Sequence, residues 1–327
     1  MNLCRSIRHA AVYFALALVF PPAFRLVAAA SGAATVDYTS LPLLRGKENQ
    51  LLLRLPVDAN TPVMVLDTGS PITCVDSSKA KSFKLVPPPA NSSSPTSVTV
   101  NGVQHNLAVA PSLNFGPEQV QNLPVVLIDL SALNQMLKSR HDHPNDAILG
   151  LDTMHALRAV IDCGTGRLML PNSANSASQL SAKLKRAGWM EIPMRVDQGH
   201  LLVRGTVNRS SLDFIVDTGS PVSVVDRTFC DKHHIVLNDQ SFSLKAIHFQ
   251  TGGAKVGKVA DMKIGRLDIN RTLVAVFDVT ALLKGESGSA PLGLLGSRTL
   301  ERTRAFIDCE NSNLYLKMPE PTPAWGF

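Results

Sequence analysis

Aromatic residues are scarce in this 327-residue chain, at 5%, and charged residues make up only 18%. With little aromatic interleaving and no dense Lys/Arg run, it lacks the electrostatic footprint of a nucleic-acid-binding protein. The formal charge of +6 shrinks once the first thirty residues are set aside: they hold Arg5, Arg8 and Arg25 and no acid, leaving 29 bases against 26 acids. Cysteine is sparse too. None of the five has the Cys-x-x-Cys spacing of a redox or zinc site, and His141-Asp142-His143 and His233-His234 lack a third ligand at recognisable spacing, so no metal or other cofactor is expected. What is present is 45% hydrophobic residue with 21 Gly and 21 Pro, which fits a turn-rich, mostly β protein of about two domains.

The N-terminus reads as an export signal over residues 1–30. Arg5, Arg8 and His9 form a basic head, Ala10 to Phe20 an apolar run, and Ala28-Ala29-Ala30 a small-residue cleavage site. An uncleaved anchor is disfavoured because Pro21, Pro22 and Arg25 interrupt a stretch that needs about 20 apolar residues to span. Cys4 precedes the apolar run, so it cannot take a lipid at the cleavage point. The expectation is a periplasmic or secreted protein with no stable membrane span. In that oxidising setting Cys74, Cys163, Cys230 and Cys309 allow three complete pairings, among which sequence does not choose.

The chain says one thing twice. Val65-Leu66-Asp67-Thr68-Gly69-Ser70-Pro71 returns 150 residues later as Ile215-Val216-Asp217-Thr218-Gly219-Ser220-Pro221. Leu51-Leu52-Leu53-Arg54 matches Leu201-Leu202-Val203-Arg204 at the same offset, and Val126 to Asp129 matches Ala275 to Asp278 at 149. Ile148-Leu149-Gly150 pairs with Leu294-Leu295-Gly296, and Ile161-Asp162-Cys163 with Ile307-Asp308-Cys309, both at 146. Landmarks repeated in one order mean internal duplication. The units run over about 36–172 and 189–318, joined by a linker over 173–188 and followed by a tail over 319–327. Short apolar, β-branched segments broken by Gly, Pro and Asn read as strands and turns. Brief helices are expected after Leu151 and Ser297, around Arg227 to His233, and as a spacer over Gln179 to Ala187.

A single Asp-Thr-Gly is weak, since it arises by chance in about one chain of this length in ten. Two copies, each after an apolar strand and before Ser-Pro, need a physical account. A strand that delivers Asp to a tight turn at Gly holds a carboxylate at the rim of a core. If the two units pack with pseudo-twofold symmetry, Asp67 and Asp217 meet, share one proton, and split their macroscopic ionisations apart. One is then base while the other is acid, the logic of the carboxylate pair in aspartic proteases.

On these residues the chain resembles a tandem retropepsin-like aspartic protease of bacterial type, with two retroviral-protease-like β-barrel lobes fused on the bilobal pepsin plan. The resemblance implies that Asp67 and Asp217 activate a water for attack on a peptide carbonyl. Thr68 and Thr218 would interlock across the lobes, Gly69 and Gly219 would make the turns, and Ser70 and Ser220 would hydrogen-bond the outer carboxylate oxygens, leaning the pH optimum toward acid. Ile148 to Gly150 and Leu294 to Gly296 would thread beneath the catalytic turns. A cleft between the lobes would take an extended polypeptide beneath a hairpin flap. Asn101-Gly102 and Gly252-Gly253 are flap candidates or ordinary hairpins, and the pepsin-type flap tyrosine is absent. The first unit begins within a few residues of the expected cleavage point, leaving no length for an inhibitory pro-segment.

The leading expectation is an exported aspartic endopeptidase acting on polypeptides as a monomer. Two alternatives stay open: a non-catalytic peptide-binding or interaction module on the same fold, and units that pair between chains. No histidine keeps a duplicated relation to Ser70 or Ser220, so a serine hydrolase is not expected. Cys163 and Cys309 are either a symmetric bridge or inert buried thiols, and Asp162 and Asp308 take a turn role.

Overall fold

The computed structural model describes residues 38–55, 61–89, 95–100, 103–237, 255–279 and 293–318. The proposed signal, both flap candidates and the tail lie outside them.

The first half contributes β1 (Tyr38–Pro42), β2 (Leu44–Arg45), β3 (Leu51–Arg54), β4 (Val63–Leu66), β5 (Cys74–Asp76), β6 (Ser97–Val100), β7 (Val103–Phe115), β8 (Glu118–Ile128), α1 (Ser131–Ser139), β9 (Ala147–Leu149), α2 (Leu151–Ala156), β10 (Val160–Asp162) and β11 (Arg167–Pro171). After α3 (Ser176–Arg186), the second half supplies β12 (Met190–Pro193), β13 (Arg195–Asp197), β14 (His200–Val207), β15 (Ser210–Asp217), β16 (Ser223–Asp226), α4 (Arg227–Lys232), β17 (Lys255–Val259), β18 (Met262–Ile264) and β19 (Leu267–Asp268). It closes with β20 (Thr272–Phe277), β21 (Gly293–Gly296), α5 (Ser297–Arg302), β22 (Phe306–Asp308) and β23 (Asn313–Leu316).

The duplication is legible in the pairing. In the first lobe β9 runs parallel to β4 and antiparallel to β5, which is parallel to β8. In the second, β21 stands in the same relation to β15 and β16, and β16 to β20. β9 and β21 each lie between two partner strands and are buried along their whole length, so the sheet is packed on both faces there and these segments read as continuous apolar runs instead of alternating ones. Met64, Val65 and Leu66 are buried, as are Phe214, Ile215 and Val216.

A third sheet belongs to both halves, in the order β1-β11-β10-β22-β23-β12. Its middle pair, β10 and β22, is antiparallel with Ile161 opposite Ile307. These two are repeat equivalents, so the pseudo-twofold axis passes between them. Helix α3 crosses from β11 to the far edge strand β12, packing Leu180 and Leu184 against Val160 and Tyr315 on the sheet. Ion pairs Arg45 to Glu301 (3.4 Å), Glu48 to Arg298 (3.6 Å) and Arg158 to Glu310 (2.7 Å) also join the halves. Among the described residues no helix is long and apolar enough to cross a membrane.

The expected helices form as α2, α4 and α5, and the spacer starts at Ser176, three residues before its expected onset. Helix α1 has no matching expectation, although Leu133, Met136 and Leu137 recur at helical spacing; Leu137 is its one buried residue. The four described cysteines are buried free thiols. The register forbids a Cys163–Cys309 bridge. Cys163 donates its N–H to Ala305 and Cys309 donates to Ala159, which offsets the two by four residues along an antiparallel pair, about 13 Å at strand rise. Burial pushes all four thiols above their ordinary range. Asp162 and Asp308 take their expected turn roles, accepting from the N–H groups of Gly164 and Thr165, and of Asn311.

Candidate active site

Asp67 leaves β4 and Asp217 ends β15, both at the buried junction of the lobes, with exposures of 2% and 0%. Each follows an apolar strand that cannot face water, which carries the carboxylate inward with it. The underlying strands hold the turns from below. Asp67 donates its N–H to Leu149 (3.0 Å), Leu151 donates to Ser70 (2.8 Å), and Ser297 donates to Ser220 (2.7 Å).

The threonines cross between lobes. Thr68 Oγ1 donates to the Val216 carbonyl (2.6 Å) and accepts from the Thr218 N–H (3.1 Å). Thr218 Oγ1 donates to the Leu66 carbonyl (2.8 Å) and accepts from the Thr68 N–H (3.1 Å). All four groups are buried, so losing one hydroxyl strands two partners. Thr68→Val, nearly isosteric, is expected to cost about 2–4 kcal/mol, read as a lowered denaturation midpoint in urea. Thr68→Ser should recover most of it, and equal midpoints for Val and wild type would contradict this account.

Gly69 and Gly219 are required by close approach. A Cβ on Gly69 would stand 2.6 Å from Asp217 Cγ, and one on Gly219 2.4 Å from Asp67 Cγ. Each carboxylate therefore lies directly over the other lobe's turn. Asp67 Oδ1 accepts from the Gly69 N–H (2.9 Å), and Asp217 Oδ1 from those of Gly219 and Ser220 (2.9 Å each).

The serine hydroxyls differ from expectation. Ser70 Oγ donates to the Ile72 carbonyl and Ser220 Oγ to the Val222 carbonyl, both at 2.8 Å, so each closes its own turn instead of reaching a carboxylate. A turn hydroxyl two residues from a free carbonyl finds it locally, without needing the partner lobe. Their expected acidifying effect is therefore missing. Burial pushes the Asp67 carboxyl up to about 6, against the pull of the Gly69 N–H and the contact with Asp217. Burial pushes Asp217 well above the carboxylate range, and the neighbouring Asp67 charge adds to it. Asp217 Oδ2 is buried and accepts from no donor.

A supporting layer behind the turns adds residues that the motifs alone do not single out. Thr73 Oγ1 accepts from the Gly150 N–H (3.1 Å) and contacts Thr153 Oγ1 (2.6 Å), while Ser223 Oγ accepts from the Gly296 N–H (3.1 Å) and contacts Thr299 Oγ1 (2.7 Å). Their signal in the chain is hydroxyls recurring at the repeat offsets. The two layers differ in one partner. Thr73 also donates to Asp152, a residue whose place is taken by Arg298 in the second copy. The histidines noted for metal binding have other contacts: His143 Nδ1 lies 3.2 Å from Arg54, and His233 Nδ1 3.0 Å from Ser210.

A family model described as aspartyl protease matches the chain twice, over residues 57–153 and 203–299, together more than half of its length. Among solved structures the chain is similar to basic 7S globulin from soybean, at 12% identity and a TM-score of 0.50, over 88% of this chain and 96% of that one. It also matches a retropepsin-like aspartic protease from Rickettsia conorii at 22% identity and a TM-score of 0.27, over 41% of this chain and 94% of that one. No curated protein matches it.

Proposed function

Because this chain belongs to the aspartyl protease family, we propose that it hydrolyses peptide bonds in extended or unfolded polypeptides through a water activated between Asp67 and Asp217. The observation that carries this reading is the buried meeting of two carboxyls over each other's turn, with one oxygen, Asp217 Oδ2, lacking a donor. Two like charges in that position do not both ionise, and a single proton on Asp217 turns its orphaned oxygen into a donor toward Asp67. Asp67 is then the base that takes the proton of the attacking water. Asp217 is the acid that protonates the carbonyl oxygen as it gains charge, and the leaving amine takes its proton from the pair.

Both halves of the dyad come from one chain, which supports a monomeric enzyme. Export to the periplasm or beyond is part of the proposal and rests on Arg5, Arg8, the apolar run from Ala10 to Phe20 and the alanines after it.

The test is cleavage of an unfolded polypeptide by the purified chain across pH. Burial pushes the Asp67 carboxyl up to about 6 and raises Asp217 well above its ordinary value, with the Asp67 charge adding to the rise, so Asp217 is the member that keeps the proton of the singly ionised pair. The acid limb of kcat/KM is therefore expected near pH 6, with roughly tenfold loss for each unit below. That replaces the acid lean expected from the serine hydroxyls. A maximum at pH 3–4 would overturn the assignment of Asp67 as the buried base, and no cleavage at any pH by folded protein would leave the peptide-binding reading.

A further inference from the structure

The supporting layers behind the two catalytic turns are built alike except at one residue. In each lobe the glycine at the end of the underlying strand presses on the exit of the turn: a Cβ on Gly150 would stand 2.4 Å from the Ile72 carbonyl carbon, and one on Gly296 2.3 Å from that of Val222. In each lobe the next two N–H groups reach the turn, from Leu151 and Asp152 to the carbonyls of Ser70 and Pro71 (2.8 and 3.2 Å), and from Ser297 and Arg298 to those of Ser220 and Pro221 (2.7 and 3.4 Å). The side chains at the second of these positions then part company. Asp152 stays with its own turn: its Oδ2 accepts from the Thr73 N–H (3.0 Å), and its Oδ1 from the Thr73 hydroxyl and the Thr153 N–H (2.7 Å each). Arg298 leaves its turn for the first lobe, where it lies 3.6 Å from Glu48.

Three donors on one carboxyl favour its ionised form. Burial pushes it up to about 6 while these donors pull the other way, so it is a carboxylate at pH 7.5. A carboxylate only accepts, which puts the one proton of the Thr73 hydroxyl on the bond to Asp152 and makes Thr153 the donor to Thr73. Charge fixes the order of hydroxyls in the first lobe, whereas the Ser223–Thr299 pair of the second has Arg298 where the carboxylate would be. We infer that Asp152 is a positioning residue for Asp67: by gripping Thr73 through both its N–H and its hydroxyl, it fixes the exit of the first catalytic turn and makes Asp67 the firmly held member of the pair. The Asp217 turn is left to its backbone and hydroxyl bonds. The inference rests on the aspartic dyad reading.

The test is Asp152→Asn at pH 7.5. With its Oδ1 kept on the hydroxyl and the Thr153 N–H, asparagine turns its NH2 toward the Thr73 N–H, donor against donor, and the exit of the turn must shift. Per folded molecule kcat should fall about 10- to 100-fold with KM within about twofold of wild type, because the placement of Asp67 is lost and the hold on substrate is not. Thr73→Val breaks the same grip, so the double variant should be scarcely worse than the poorer single one. A wild-type kcat per folded molecule, or single losses that multiply in the double variant, would overturn the inference. If the wild-type chain cleaves nothing, amide exchange decides: Asp152→Asn should speed exchange at Ser70, Thr73 and Leu151 and spare Ser220, Ser223 and Ser297. That selective loss keeps Asp152 as the support of the turn and removes the protease reading, whereas exchange left unchanged, or raised equally in both lobes, overturns the inference. Should the variants not fold, wild type still decides. The Thr73 amide, held by a carboxylate, must exchange more slowly than that of Ser223, and equal rates would overturn the grip.

Discussion

Asp217→Asn is expected to lose at least a thousandfold in peptide cleavage and yet to melt at a higher temperature than wild type at pH 7.5. The loss follows from chemistry. An amide cannot give up the proton that the reaction moves, and the general acid with its partner base supplies 10²–10⁴ or more of the rate. The gain follows from burial. Asn Oδ1 accepts the same N–H groups of Gly219 and Ser220, and its Nδ2 donates toward Asp67, so the orphaned oxygen disappears. Asp67 and Asp217 both have folded-state ionisations raised above that of an unfolded chain. A carboxyl of that kind carries no penalty below its unfolded value near 4, and stability falls as pH climbs through the folded values. The difference between variant and wild type should therefore be near zero at pH 3.5 and grow to several degrees at pH 7.5. Melting measured at the two pH values checks it; a variant less stable than wild type at both would remove the claim that the pair is strained by its own charge. Asp67→Asn should behave alike in activity, because either amide breaks the same pair.

Gly219→Ala should cost at least a hundredfold in kcat/KM and about 2–3 kcal/mol of stability. The added carbon would meet Asp67 Cγ at 2.4 Å and its oxygens at 2.5 and 2.6 Å, distances no real Cβ contact shows. Asp67 cannot step aside, since its Oδ1 is fixed by the Gly69 N–H and its own N–H by Leu149. Relief must come from the lobes parting, against the crossed threonines and the shared sheet. Gly69→Ala, at 2.6 Å from Asp217 Cγ, should follow the same course slightly less severely. Equilibrium unfolding beside peptide kinetics decides this: an alanine variant with wild-type turnover would show that the carboxylates do not sit over the opposite turns.

The repeat makes Asp67, Asp217 and the crossed Thr68 and Thr218 readable from the chain alone, because duplication preserves spacing and spacing survives divergence. The strands and the helices after Gly150 and Gly296 are readable for the same reason. Other features depend on three-dimensional neighbours. Nothing in Ser-Pro-Ile or Ser-Pro-Val says whether the hydroxyl faces a carboxylate or the carbonyl two residues on, and the local partner wins. The sheet shared by β10 and β22 is hidden because each strand is only three residues long and the relevant register lies between halves.

That shared sheet also bears on how the molecule comes into being. Strand β10 has β11 beside it within a few residues, but its other neighbour, β22, arrives 146 residues later. At ordinary rates of synthesis the gap is on the order of ten seconds. For that interval Val160, Ile161 and Asp162 present a bare strand edge, a template for any chain with an unpaired strand of its own. The nascent first half also carries Asp67 without its partner. Asp67 therefore waits for the 150 further residues that bring Asp217, and the pair meets only after the second half has been made.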